Sequence, residues 1–491
     1  MVSRRLRKVA LGIILPIALG AVLLVLPVFP PIDLTHVSVP SGADSVELAA
    51  GARYRAGGLM RVLLGDHWRE LWTTPLKVPV LKLHDFDGGL LPIKEGGGLE
   101  TRSLHFVSRS GHRYVFRSTD KELARLFSYG LSRSLLARIV QDQTSASHPA
   151  SALVAAPLQA ALGLPAGHPR LVVLPADSAL GLYQVRFGGL LGMLQEGPGE
   201  GLPDPSPGSP EPDIKETEAM LGRVDSVPGN RIDTRGFLTA RLLDFLMNDW
   251  DRHAGQWRWA ATPRAEGWLW LPIPVDRDQA FARYDGLLLG LARLRTTKLS
   301  RFGPEFPHLQ GLIRNSVSLD RRLLALLPRA VWDSVRGFVV GRLSDAVIDS
   351  AVARMPEVYR VRSAAMIAAS LKERRGGLAS IATEYYQLLA RRPEVHVGAG
   401  DTAELSYQAD GSVELRLSSA LRRFVPGETE VVELRLYGGP SQLRVSGVVT
   451  KGGVLVRVLD GRGHEVKPAT GATPAGTAAR GSPRQGAGAS G

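Results

Sequence analysis

Cysteine is absent from all 491 residues. That excludes disulfides, thiolate metal sites, cysteine nucleophiles and a lipidated N-terminal cysteine. Lysine is scarce too, ten among sixty basic residues, so the net charge of +13 is carried by arginine. Two readings of that charge stand: planar donors for an anionic partner such as a lipid headgroup or envelope polyanion, or a compositional bias, since the arginines are scattered. No Gly-x-Ser-x-Gly elbow, no His-Glu-x-x-His helix and no Gly-Lys-Ser/Thr phosphate loop occurs, which removes three large enzyme classes. There is no internal repeat, no series of amphipathic barrel strands and nothing like a groove-reading helix or base-stacking sheet, so nucleic acid is not an expected partner.

What is present begins at the N-terminus. Arg4, Arg5, Arg7 and Lys8 precede "VALGIILPIALGAVLLVLPVFPP", an uncharged run long enough to span a bilayer. With no small-x-small cleavage site beyond residue 25, the run reads as an uncleaved signal anchor, and a cleaved signal peptide is the alternative. The positive-inside rule leaves residues 1–8 as a cytoplasmic stub, 9–30 as a single transmembrane helix and the rest outside, which in a bacterium means an inner-membrane protein with a periplasmic bulk.

The exported part divides by pattern. In 50–196, "GLLPIKEGGGLETRSLHFVSRSGHRYVFRS" alternates as strand, glycine turn, strand, turn, strand. Helices are expected over "KELARLFSYGLSRSLLARIVQDQ" and "PASALVAAPLQAALG", and strands at "RLVVLPA" and "LYQVRFGGLLGMLQE". Residues 197–213 are a proline- and glycine-rich linker. Apolar residues recur at helical spacing through 214–392, alternating strands return in 395–467, and 471–491 is low-complexity and expected to be disordered. The expected fold class is α+β, in two unequal parts with a small C-terminal β domain.

Chemistry concentrates in two short stretches, "NDWDRHAGQWRW" (248–259) and "PVDRDQAF" (274–281). If the segment between them is a hairpin, their carboxylates are neighbours. Carboxylates from two loops suit a divalent cation with oxygen ligands, and phosphoryl transfer needs one Asp to position the acceptor and another to hold the cation on the phosphates. The five nearby tryptophans, Trp250, Trp257, Trp259, Trp268 and Trp270, are expected in the core, and His148 is expected to be structural. Asp249 reads as a helix terminator, and Asp251 with Arg252 as a structural ion pair is the bland alternative to a catalytic role.

"DFLMNDWDRHAGQ" followed by "PVDRDQAF" resembles the catalytic and metal loops of the atypical protein-kinase-like group: the Golgi casein kinases, spore-coat kinases, HipA-type kinases and phosphoinositide kinases. The resemblance implies a strand-rich N-lobe and a helical C-lobe. It makes Asp251 the catalytic aspartate, with His253 orienting it, and assigns Gln256, Asp276 and Asp278 to Mg²⁺ or Mn²⁺ bound with a nucleoside triphosphate. Asp278 is alternatively a partner for Arg277. Gly97 and Gly98 in "EGGGLE" stand where a phosphate-covering turn belongs. Arg117 occupies the usual lysine position, with Lys121 four residues on, Asp142 as the acidic partner and Glu196 as a hinge residue. Gln256 for the usual Asn and Arg117 for Lys are departures from the pattern. Residues 50–465 also resemble a module of large bacterial envelope proteins, found beside an outer-membrane surface-antigen barrel and sometimes after a metallophosphoesterase domain. An envelope partner and a catalytically inactive, pseudokinase assembly role follow as the alternative to an enzyme.

Overall fold

The computed structural model describes residues 24–98, 100–198, 213–418, 420–439 and 442–467. The basic stub, most of the expected membrane anchor, most of the linker and the 471–491 tail lie outside them. Among the described residues no helix is long and apolar enough to cross a membrane.

The described chain opens with Ser45–Leu48 (β1), which pairs with Leu76–Pro79 (β2) on either side of a short helix, Gly58–Leu64 (α1). Then comes a five-stranded antiparallel sheet: Leu90–Gly96 (β3), Ser103–Ser108 (β4), Arg113–Ser118 (β5), Arg170–Val173 (β6) and Leu191–Glu196 (β7), in spatial order β3-β4-β5-β7-β6. The alternation read from the sequence explains it. Leu104, Phe106, Phe116 and Leu194 point to one face and build a core with Leu83 and Phe187, while Arg117 and Met193, paired across β5 and β7, lie on the opposite face. Gly192 lets Phe116 settle there, because a Cβ would sit 2.4 Å from its ring.

Between β5 and β7 the structure departs from expectation. Residues 121–143 form 3₁₀ turns at Leu123–Leu126 and Leu131–Arg133 before a two-turn helix, Leu135–Asp142 (α2), capped by the Ser134 hydroxyl. The apolar spacing is helical, but Leu126 and Tyr129 are solvent-exposed, so no apolar burial supports a long helix there. Ser151–Ala161 (α3) follows. The expected strand at 182–196 begins only at Leu191, residues 178–187 being helical turns.

The remaining body is helical around a second small sheet. Thr234–Met247 (α4) is buried from Phe237 to Met247 and runs beside the 34-residue helix Glu357–Ala390. Its sheet includes Trp257–Pro263 (β8) and Trp268–Pro274 (β9), an antiparallel hairpin. Trp257, Trp259 and Trp270 are buried, as expected. A further helix, Leu287–Arg293 (α5), packs against α1. The C-terminal strands make a parallel three-stranded sheet (Glu394–Val397, Val431–Leu436, Leu455–Asp460) facing a four-stranded one, with Val397, Leu415, Phe424 and Leu434 between them.

Candidate active site

The β8–β9 hairpin places the site. Helix α4 ends at Asn248 in the left-handed conformation (φ 60°), which Asn tolerates and which turns the chain out of the core. The hairpin then pairs Trp257 with Pro274 at its open end. Residues 249–256 and 275–281 therefore lie side by side, and the Val275 N–H donates to the Gln256 carbonyl at 3.1 Å.

Arg252 ties the two loops together. Its guanidinium donates to the carbonyls of Val275 (2.7 Å), Asp276 (3.2 Å) and Gln256 (3.0 Å), and stacks on Trp257. The alternative reading, a structural ion pair with Asp251, is not what it makes: its carboxylate neighbours are Asp244 at 3.4 Å and Asp249 at 3.9 Å.

Arg277 anchors the second loop from within. It donates to Asp244 and Asp249, and to Gln159 at 2.6 Å. Arg277 is buried, whereas Asp276 and Asp278 on either side of it stay partly open and reach Arg117 and Lys121 across the cleft. Asp278 is thus not its partner. Asp249 helps to terminate the helix as expected, its N–H donating to the Asp244 carbonyl at 2.8 Å, and its side chain is also buried in this ion network, where burial pushes its carboxyl up despite Arg252 and Arg277.

In the cleft, Asp276 accepts from Arg117 at 2.9 Å and from the Gln256 amide at 3.4 Å. Burial works to raise the Asp276 carboxyl, but Arg117 and Lys121 outweigh it and hold the group below its ordinary value. Lys121 pairs with Asp278 and reaches Glu100 at 3.7 Å. Burial and the facing Asp276 push Asp278 up to about 7, with Asp251 adding to the repulsion. Asp276, Asp278 and Glu100, the cations Arg117 and Lys121 and the Gln256 amide thus lie together between the five-stranded sheet and the hairpin loops, with Asp251 near enough to repel Asp278. Among the described residues no three His, Cys, Asp or Glu side chains form a metal cage by themselves.

The backbone there is unusual. Asp276 (φ 58°) and Phe281 (φ 62°) both adopt left-handed conformations. Asp accepts that readily, whereas a buried Phe at such a φ is strained by about 1–3 kcal/mol, a feature that gathers at functional loops. The strain is held by the Phe281 N–H donating to Met247 and by Trp68 donating to the Phe281 carbonyl.

The other expected residues fall as follows. Gly97 (φ 94°) and Gly98 form the β3–β4 turn, and a Cβ on Gly97 would meet the Thr101 carbonyl at 2.6 Å, while Gly98 faces open space. Glu196 ends β7, where the chain leaves the sheet, and pairs with His168 at 2.8 Å. Asp142 is not the partner of the cleft cations: Arg69 takes both its oxygens, at 2.7 and 2.5 Å. His253 is exposed, and its Nδ1 accepts from the Gly255 N–H at 3.1 Å, capping a 3₁₀ turn. Orienting Asp251 falls instead to Asn315, whose amide donates to it at 2.7 Å. No motif in the sequence signalled Asn315.

His148, beneath the cleft, is structural as expected. Its Nδ1 accepts from the Ala150 N–H at 3.1 Å, so the other nitrogen carries the proton toward Ser363 at 3.2 Å. Burial lowers its pKa to about 3, against an ordinary 6.5. Since the unfolded chain takes the proton first, this group's contribution is complete above pH 6.5 and is lost as pH falls. Between pH 7 and 5 the loss is about 2 kcal/mol. Denaturant titrations at the two pH values should show a smaller difference for His148→Gln than for the unchanged chain; equal differences would rule the assignment out.

No family model matches the chain, and no curated protein matches it. Among solved structures, a Helicobacter pylori proinflammatory kinase, CtkA, is similar over 60% of this chain and 95% of its own, at 10% identity and a TM-score of 0.32. The Shewanella oneidensis MR-1 toxin–antitoxin complex of HipA, HipB and operator DNA is similar over 70% of this chain and 76% of the matched chain, at 13% identity and a TM-score of 0.30. At these scores the residues of the site must speak for its chemistry.

Proposed function

We propose that the cleft is a metal-dependent phosphotransferase site of kinase-like type, in a protein held at a membrane by its N-terminal apolar run. The observation that carries the enzymatic reading is the convergence of Asp251, Gln256, Asp276 and Asp278 at the open end of one hairpin, opposite Arg117 and Lys121. The spatial arrangement suits the chemistry: a glycine turn between two strands, a cation at the end of the third, and a metal-binding Asp beyond the catalytic one are the parts phosphoryl transfer uses. The donor set fits Mg²⁺ or Mn²⁺, which is ordinarily held by one or two carboxylates together with substrate phosphates. Asp276 and Asp278, with the Gln256 amide, would hold the cation, and the bound cation would neutralise charge on the transferred phosphoryl group.

The chain's own residues do the rest. Arg117 and Lys121 would exchange their carboxylate partners for phosphate oxygens when nucleotide and cation bind together, so their ion pairs are replaced rather than lost. Backbone N–H groups at Gly97 and Gly98 offer an anion nest. Asp251, fixed by Asn315, accepts the hydroxyl proton of the acceptor.

A second reading has its own observation. Arg117 on Asp276 and Lys121 on Asp278 place cationic groups against both metal-binding carboxylates. A chain that keeps those pairs closed is a binding or assembly module for an envelope partner, with no turnover.

One experiment separates the two. The full chain is heated with ATP and Mn²⁺ or Mg²⁺, and phosphate transfer is followed in parallel. The enzyme reading expects stabilisation of about 2.7 kcal/mol when ligand exceeds Kd a hundredfold. It also expects Asp251→Asn to keep that stabilisation while turnover falls by about 10²–10⁴. No stabilisation by nucleotide with either cation would leave the assembly reading.

A further inference from the structure

We infer that the face formed by α1 and α5 docks on an anionic lipid bilayer, an inference that rests on the membrane attachment proposed above and adds which side of the molecule meets the lipid. The two helices touch. On α1, Leu59, Met60 and Val62 are 44–74% exposed; on α5 and just past it, Leu287, Leu288, Leu291 and Leu294 are 45–82% exposed. A single exposed leucine is ordinary, but seven large apolar side chains on adjoining helices form the kind of patch that soluble monomers rarely carry without a partner. Each helix is only seven residues long, so neither makes a self-contained groove for a peptide. Together they offer a shallow apolar face of the depth an interfacial helix buries, about 5–10 Å.

The rim supplies the charge. Arg55, Arg61, Arg295 and Arg301 are exposed around the patch. Arg61 is shared with Asp66 and Arg301 lies 3.9 Å from Asp285, while Arg55 and Arg295 make no ion pair among the described residues. Basic side chains bordering exposed leucines match anionic headgroups above acyl chains.

Where the N-terminal run joins the fold gives an independent argument. Leu24, Val25, Leu26 and Val28 are exposed. Phe29 is then caught, its N–H donating to the Arg133 carbonyl at 3.0 Å and its ring lying under Arg138. The next residues, Pro31 and Ile32, line one cleft together with Met60 and Leu64 of α1. Residues 24–31, the end of the uncharged run, thus join the folded body beside α1. A bilayer holding that run meets this face first. Because α5 directly follows the loop bearing Asp276 and Asp278, with the Tyr284 carbonyl accepting from Arg293 at 2.6 Å, docking would seat the catalytic loops close to the headgroups.

The absence of cysteine makes the test direct. Single variants Leu59→Cys and Leu291→Cys carry a fluorophore on the docking face, Val28→Cys reports the anchor, and Val448→Cys, 63% exposed on the C-terminal domain, is the reference. The full chain is reconstituted into phosphatidylcholine vesicles, with or without phosphatidylglycerol, containing a lipid-borne quencher. Expected is quenching at 59 and 291 several-fold above that at 448, stronger with phosphatidylglycerol, and reduced by Leu288→Glu with Leu294→Glu, which leave the thermal transition in place. Quenching at 28 but not at 59 and 291 overturns the docking face and spares the anchor. No quenching at 28 removes the attachment itself and the docking face with it. Shielding of 59 and 291 that ignores lipid and grows with protein concentration would assign the face to a second copy, and also overturns the inference. None of these outcomes depends on whether the cleft turns over ATP.

Discussion

Asp276→Asn should abolish the joint stabilisation by ATP and Mn²⁺, weakening it by at least about 100-fold, while the unliganded protein keeps its fold. The reasoning is local. Asn tolerates the left-handed conformation that Asp276 adopts (φ 58°) as well as Asp does, so the substitution removes charge without adding backbone strain. The exposed fraction of the side chain, 18%, leaves water to replace the Arg117 contact. What disappears is a carboxylate oxygen for the cation, and even loss of an outer-sphere partner commonly costs 10–100-fold in metal affinity. Calorimetric titration of Mn²⁺ in the presence of ATP is the measurement, and unchanged affinity would remove Asp276 from the metal site.

The largest loss of stability should come from Asp244→Ala. Asp244 is fully buried and faces three guanidinium groups, Arg241, Arg252 and Arg277. Burial raises its carboxyl, but the three arginines outweigh this and hold it ionised. Removing the carboxylate strands buried cations, a change that typically costs 3–5 kcal/mol, against a total stability of about 5–15 kcal/mol. Two of those arginines position the cleft: Arg252 grips the loop carbonyls and Arg277 turns Asp276 and Asp278 outward. Denaturant unfolding should show this loss. Arg258→Ala, which removes the pair with the largely exposed Glu216 and the half-exposed bonds to the Gly255 and Trp257 carbonyls but strands no buried charge, should cost about 1 kcal/mol or less. Comparable losses would mean the network is no more than a surface feature.

Much of this was legible beforehand, for physical reasons that differ from place to place. The β3–β4–β5 meander shows in alternation because Leu104, Phe106 and Phe116 pack into one core while positions between them, such as His105 and Arg117, are only partly buried. The meeting of the Asp251 and Asp276 loops shows because a hairpin of tryptophan-rich strands must bring its two ends together. The partner of Lys121 did not show. The resemblance put Asp142 in that role, but Arg69, distant in the chain, claims that carboxylate, and Asp278 takes the lysine. Asn315 and the backbone grip of Arg252 were invisible for a related reason: one lies far along the chain on no periodic element, and the other acts on carbonyls, which every residue has. His253 misled because an imidazole next to a catalytic aspartate suggests cooperation, whereas its ring is spent on capping the next turn.

The inward turn of Arg277 between two outward aspartates makes the loop a device with phase. Shifted by one residue, it would set a carboxylate against the buried Asp244 and Asp249 that Arg277 now neutralises. The loop therefore tolerates neither insertion nor deletion, while the tip of the same hairpin, at residues 264–267, is free to vary in length. Chains descended from a common ancestor with this one should differ in length at the tip and keep a fixed count from Trp268 to Phe281.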